Sequence, residues 1–320
     1  MIVLTSGNFY PNSLPCRLMW LTAYSGQHKA RYGCYTDMET IKIHVLHCGL
    51  VHTSPYLPFD TGRAGMLKVA GIGVPAKDWV WMPVSAYYIE HPKAKILVDT
   101  GWSRRISPEG LPDKKAQIAE LGRLLYTMNQ GYLPAGEAVD EQLKNLGVNT
   151  SDLDYVILTH LDCDHVCGVR QVADARHILV SEAEMKFVRQ FSLTNKVRFR
   201  SQWWKGVPLE LFPWNGNEGP FGRSFDLLGD KSVQLINIPG HTEGLVAVKI
   251  TNGEGKYVLI DSDGAYGSKS WQDMILPGIA DNRREQFLSL QWIREMSMNG
   301  DCVESLANHD VEVKPHIIEL

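Results

Sequence analysis

Four side chains able to bind a metal, His160, Asp162, Asp164 and His165, fall within the run 159–165, which follows the apolar stretch 155–158 and precedes Gly168. Imidazole nitrogen and carboxylate oxygen are the donors that borderline divalent cations take. A turn at a strand end lets such side chains converge, where a strand interior would send alternate ones to opposite faces. The chemistry expected of the cluster is metal-assisted hydrolysis. Three further segments place candidates directly after apolar runs: His241 in 238–242, Asp261 and Asp263 in 259–263, and His309 in 306–310. If each run is a strand, all four segments meet at one edge of the sheets.

The elements that must position these residues are legible as alternation and helical period. Strand-like runs lie at 41–46, 84–89, 96–98, 155–158, 177–180, 233–238, 246–250 and 257–260. Apolar residues recur at helical spacing over 114–126, 139–146, 181–190 and 283–296. Ser181 with Glu184 three residues on predicts a capping box, and the 139–146 helix is expected to start at Asp140. Such a mixture predicts sheets covered by helices. The first 37 residues mix Pro, Ser, Gly and aromatics without period, so 1–37 reads as a disordered or non-native extension and 38–320 as a single domain.

With 44% hydrophobic and 21% charged residues, the chain has a globular make-up, and a net charge of -4 offers no basic stripe for nucleic acid. No apolar run approaches the roughly 20 residues that span a bilayer, so no membrane partner is expected. The six cysteines lack the dense spacing of a disulfide framework and read as free thiols in a reducing cytoplasm. A small-molecule substrate fits this profile.

The HxDxDH turn, the Pro239-Gly240-His241 turn, the aspartate after a strand and the late histidine resemble the metallo-β-lactamase superfamily. Within it, 263–266, 308–310 and the opening 47–49 look most similar to N-acyl-homoserine lactonases, the quorum-quenching hydrolases. The resemblance implies an α+β fold, a four-layer αβ/βα sandwich with two mixed β-sheets flanked by helices. It also implies two divalent metal ions, usually zinc: His160 and His241 on the first, Asp164, His165 and His309 on the second, and Asp263 bridging them. Asp162 stands where the family usually has a second histidine; as a carboxylate ligand it makes iron or manganese an alternative to zinc. Spacing to Tyr266 favours Asp263 over Asp261 as the bridge.

The activity implied is opening of a lactone ring by a hydroxide bridging the two metals, with Tyr266 stabilising the oxyanion and Asp164 carrying the proton to the leaving alkoxide. A glyoxalase-II-like thioesterase or other carboxylic ester hydrolase would share every ligand; a non-catalytic metal or ligand sensor is a third reading. Other polar candidates read as structural: Asp99 as a residue behind the ligands, Cys163 and Cys167 as buried thiols, and His44, His47, His52 and His177 as packing or surface groups. The aromatic stretch 79–83, Trp102 and 124–133 read as core more than as an acyl-chain pocket, and Trp203, Trp204 and Trp292 as core.

Overall fold

The computed structural model describes residues 40–60 and 65–320; the expectation for the first 37 residues lies outside them. One mixed sheet contains β1 (Lys42–Thr53), β2 (Val80–His91), β3 (Ala94–Val98), β4 (Asn129–Tyr132), β5 (Tyr155–Ile157), β6 (His177–Ser181), β7 (Leu209–Phe212) and β13 (Ile317–Glu319). Its order is β13-β1-β2-β3-β5-β6-β7, with β4 paired to β1. The meander β1-β2-β3 is antiparallel, whereas β3, β5, β6 and β7 run parallel through crossovers. The second sheet, β12-β11-β10-β9-β8, comprises β8 (Ser224–Asp226), β9 (Val233–Asn237), β10 (Val246–Thr251), β11 (Tyr257–Ser262) and β12 (Cys302–Ala307); only β11 and β12 are parallel.

Period-two alternation divides the apolar side chains among three cores. Ile43, Val45, Tyr87, Ile89, Ile96 and Val98 of the first sheet join Val246, Val248, Ile250, Val258 and Ile260 of the second in a core between the sheets. Ala86, Tyr88 and Leu97 face the opposite way, into a core under the helices of the first sheet. Ala247, Tyr257 and Leu259 do the same on the far side of the second sheet, against Trp271, Leu290 and Ile293. Helix, sheet, sheet and helix thus form the four-layer αβ/βα sandwich, and because both faces of each sheet are covered, the strands read as near-continuous apolar runs.

The helices are α1 (Met66–Val69), α2 (Lys114–Leu121), α3 (Arg123–Tyr126), α4 (Val139–Asn145), α5 (Cys163–Val166), α6 (Glu182–Arg189), α7 (Leu193–Arg198), α8 (Ser268–Asp273) and α9 (Arg283–Ser297). The helix expected over 114–126 is two helices, broken where Gly122 takes φ +81°. Helix α4 begins at Val139, one residue before the expected start, and Glu141 turns back to accept from Ala138 N at 3.2 Å and Gly136 N at 2.7 Å. Ser181 caps α6 by accepting from Glu184 N at 3.0 Å, but the reciprocal half of the predicted box is absent. The Glu184 carboxylate is used elsewhere: it accepts from Leu161 N at 3.0 Å and Gly244 N at 3.2 Å. Strands β4, β7, β8 and β13 have no counterpart in the sequence reading, being short or half-polar, whereas β12 ends at Ala307, where the run before His309 placed a strand end. No helix among the described residues is long and apolar enough to cross a membrane.

Candidate metal centre

All four ligand-bearing segments leave C-terminal strand ends at one edge of the sandwich. His160 follows β5, His241 follows β9, Asp263 follows β11 and His309 follows β12. Asp162 is the residue before α5, and that single turn of helix presents Asp164 and His165. The turn is tightly seated: a side chain at Gly168 would meet Thr100 O at 2.2 Å, and one at Gly240 would meet the Gln286 backbone at 2.3 Å. Both positions therefore need glycine.

The structure brings together the seven side chains singled out as metal donors. Donor atoms of His160, Asp162 and His241 lie within 4.8 Å of one another, as do those of Asp164, His165 and His309, and those of His160, His165 and Asp263. Asp263 sits between the two groups. Its Oδ1 is 3.2 Å from His165 Nε2 and 3.3 Å from His309 Nε2, and its Oδ2 is 3.5 Å from His241 Nε2 and 4.0 Å from His160 Nε2. Asp261 lies apart from this array, its Oδ2 accepting from Ser305 Oγ at 3.3 Å. The geometry thus places Asp263, not Asp261, at the centre.

The donor set fits divalent cations. His160 Nε2 and Asp263 Oδ1 are shielded from solvent yet have no well-formed hydrogen bond, a costly arrangement unless another group takes their lone pairs. The remaining ring nitrogens are committed to orienting bonds. His165 Nδ1 donates to Asp99 Oδ2 at 2.7 Å, and His309 Nδ1 donates to Pro83 O at 2.8 Å, which leaves each Nε2 facing the centre. Asp99 also accepts from Thr159 N and Thr159 Oγ1, both at 2.8 Å, so one carboxylate fixes the turn and a ligand ring together. Asp99 and Ser262 both adopt positive φ, +58° and +50°, strain that costs on the order of 1–3 kcal/mol each and is held by the surrounding contacts.

Electrostatics follow from burial and proximity. Burial disfavours charge on His160, and the neighbouring His165 lowers its pKa further, to about 4. Burial would raise the Asp263 carboxyl, but His309 and His165 outweigh it and hold Asp263 well below the usual carboxylate range. Burial, reinforced by the Asp263 and Asp164 carboxylates, pushes the Tyr266 phenol well above its ordinary value, so it remains protonated at neutral pH. The Tyr266 ring stacks on His309 with centroids 4.9 Å apart. Burial also raises Glu184 to about 7, against the hydrogen bond it accepts from Leu161 N.

A group absent from the sequence reading stands at the centre. Arg198, the last residue of α7, forks onto Asp162, with Nε donating to Oδ1 at 2.6 Å and Nη2 to Oδ2 at 2.5 Å. The guanidinium outweighs the burial that would raise the Asp162 carboxyl and holds it well below the usual range. The available signal was the unusual carboxylate itself, since a buried aspartate demands a cation and 189–200 is rich in arginine.

Above the donors opens a cavity of about 350 Å³. Its apolar walls come from Val51, Leu57, Met82, Leu124, Leu125, Met128, Leu193, Val197 and Ile279, and its floor from Asp162, Asp164, His241, Asp263, Tyr266 and His309. Part of 124–133 therefore lines the cavity, a correction to its reading as core. Trp102 and Trp203 are buried core, whereas Trp81 is exposed and stacks on His52 at 4.3 Å. Trp204 and Trp292 are only partly buried. His44 and His177 pair with Glu90 and Glu210 at 2.8 and 2.9 Å, remote from the donors. Cys163 and Cys167 are buried free thiols, pushed well above their usual pKa by burial.

The sequence profile of the metallo-beta-lactamase superfamily matches residues 79–260. A probable metallo-hydrolase of Mycobacterium tuberculosis is 31% identical over 185 residues, covering 56% of this chain and 55% of that protein, so the chain spans about half the length of that relative. An N-acyl homoserine lactonase AttM of Rhizobium radiobacter is 25% identical over 233 residues, covering 72% of this chain and 82% of that protein. Among solved structures, an N-acyl homoserine lactone hydrolase with N-hexanoyl-L-homoserine at its metal centre superposes with a TM-score of 0.64 at 19% identity, covering 85% of this chain and 94% of that one. At that identity the superposition speaks for the fold.

Proposed function

Because this chain belongs to the metallo-beta-lactamase superfamily, we propose that it is a metal-dependent hydrolase that opens the lactone ring of N-acyl-homoserine lactones. The observation that carries the reading is the meeting, in one cavity, of the His and Asp donors, the Tyr266 phenol three residues beyond Asp263, and apolar walls suited to an acyl chain. Relatives named as N-acyl homoserine lactonases support it. Free thiols at Cys48, Cys163, Cys167 and Cys302 are consistent with a cytoplasmic setting.

We assign His160, Asp162 and His241 to a first divalent cation, Asp164, His165 and His309 to a second, and Asp263 to both. Zinc is the first choice, with iron or manganese favoured by the extra carboxylate. When bound, such cations supply Lewis acidity and lower the pKa of water toward neutrality. The chain's own groups do the rest. The Tyr266 phenol, kept protonated, donates to the oxygen that becomes negative as water adds to the lactone carbonyl. Asp164, on the cavity floor, takes the proton that water loses as it adds and passes it to the ring oxygen as the ester C–O bond breaks. Leu125, Met128 and Val197 exclude water around the acyl chain, which strengthens these polar contacts.

The reading is tested by a hydrolysis panel on zinc-loaded protein: short- and long-chain N-acyl-homoserine lactones against a glutathione thioester. Lactone turnover at least tenfold above thioester turnover supports it. Preference for the thioester would move the assignment to a glyoxalase-II-like enzyme on the same donors.

A further inference from the structure

Arg198 does more than neutralise Asp162. With His241 Nδ1 donating to Ile279 O at 3.4 Å, Nε2 is the acceptor nitrogen: it takes an N–H from Arg198 Nη2 at 2.7 Å and lies 2.9 Å from Asp162 Oδ2, while Arg198 Nη1 lies 3.3 Å from His241 O. Both oxygens of Asp162 and the free nitrogen of His241 are thereby engaged by one guanidinium, so of the three first-site donors only His160 Nε2 is left without a hydrogen bond. The arrangement is built in rather than draped on the surface. The Arg198 side chain is 12% exposed and that of Asp162 14%, and the Phe199 ring lies 5.0 Å from the guanidinium carbon.

A nitrogen lone pair can accept an N–H or bind a cation, but not both, and His241 Nε2 has one lone pair. A metal at the first site and Arg198 therefore compete for the same atoms. Among the described residues the second site has no cationic competitor; the Asn308 Nδ2 amide, 3.4 Å from His165 Nε2, carries no charge and makes a longer contact than the Arg198 fork. Among the described residues no arginine or lysine pairs with Asp164, Asp263, His165 or His309; the His165 and His309 Nε2 atoms face Asp263 at 3.2 and 3.3 Å. The bond that orients each second-site ring comes from its other nitrogen.

We propose that Arg198 is an internal cation that competes with metal for the first site, so that the two sites load in order. The second site takes its metal tightly. The first takes one only when Arg198 gives up His241 Nε2, and until then the guanidinium supplies the positive charge at that place. This rests on the metal-hydrolase reading above and concerns how the site is filled, not what it acts on.

The test is zinc titration of the metal-stripped full-length chain by calorimetry, with a chromophoric chelator as competitor and a thermal melt as folding control. The wild-type chain should bind one equivalent tightly and a second about 10²-fold more weakly. Arg198→Met, similar in length and uncharged, should tighten that second equivalent by about ten- to a hundredfold, the range for releasing a charge-assisted hydrogen bond. Should Arg198→Met fail to fold, Arg198→Lys carries the test, because its single ammonium cannot hold Asp162 and His241 in the same fork; the second equivalent should then tighten severalfold. Two equal equivalents in the wild-type chain, or loss of an equivalent in the variant, would overturn the competition while leaving lactone hydrolysis standing. Absence of zinc binding in every form would overturn both.

Discussion

Replacing Tyr266 by Phe isolates one hydroxyl at the centre of the proposed chemistry. The ring is buried and stacked on His309 at 4.9 Å, so phenylalanine keeps its packing and leaves His309 in place. Loss of a buried phenol's hydrogen bond costs about 1 kcal/mol of stability, too little to unfold a domain of this size. Because burial and the Asp263 and Asp164 carboxylates keep the phenol protonated, the wild-type group is a donor at any working pH near neutrality. Removing a donor aimed at developing negative charge costs about 10²–10³ in kcat, or roughly 3–4 kcal/mol of barrier. The assay is acid release from N-hexanoyl-homoserine lactone at constant pH, with kcat and KM resolved separately and zinc content checked. A drop of at least about a hundredfold in kcat, with KM and zinc content nearly unchanged, is the predicted outcome. Lactone turnover within twofold of the wild-type chain would refute the oxyanion role and remove the feature that separates lactonase from thioesterase.

Three other perturbations follow from the same contacts. Asp99→Asn leaves one acceptor oxygen where His165 Nδ1 and Thr159 N each used their own, so one of them faces an amide NH2 and the negative charge behind His165 is lost; zinc affinity at the second site should fall by about ten- to a hundredfold in a chelator competition, and unchanged affinity would contradict the orienting role. Glu184 has its folded pKa raised from 4.5 to about 7, so between those values the folded chain holds a proton that the unfolded chain has lost. Stability must then fall as pH rises through that window, by at most about 3 kcal/mol, and the difference in melting midpoint between the wild-type chain and Glu184→Gln should trace that fall; a pH-independent difference would remove the effect. Asp162→His, which restores the family's usual ligand, leaves the Arg198 guanidinium without its carboxylate and should cost about 3–5 kcal/mol in denaturant unfolding, whereas the double change with Arg198→Met recovers most of it. Additive costs in that cycle would show that the pair is not coupled.

The donors themselves were legible in the sequence because each follows a strand whose apolar run announces it: 155–158 before His160, 233–238 before His241, 257–260 before Asp263. Placing those runs in sheets was enough to predict convergence at one edge. The Asp261 and Asp263 ambiguity fell to spacing from Tyr266, and the structure places Asp263 among the histidine nitrogens and Asp261 against Ser305. What escaped was set by tertiary contact rather than local pattern. Arg198 is 36 residues from Asp162, and nothing in α7 marks that arginine rather than Arg189 or Arg200 as the one turned inward. Glu184 looked like a capping-box partner, yet the unsatisfied Leu161 and Gly244 amides beside it are better served than its own helix end. Gly122 hid a break in a stretch whose apolar spacing is continuous, and the short edge strands β8 and β13 carry too few residues to show a period.

The most direct test of the central claim is acid release from N-hexanoyl-homoserine lactone by the chain as purified, after chelation and after zinc is restored. The account predicts turnover that disappears on chelation and returns with zinc. Turnover that survives removal of the metal, or a zinc-loaded chain that leaves the lactone intact, would contradict it.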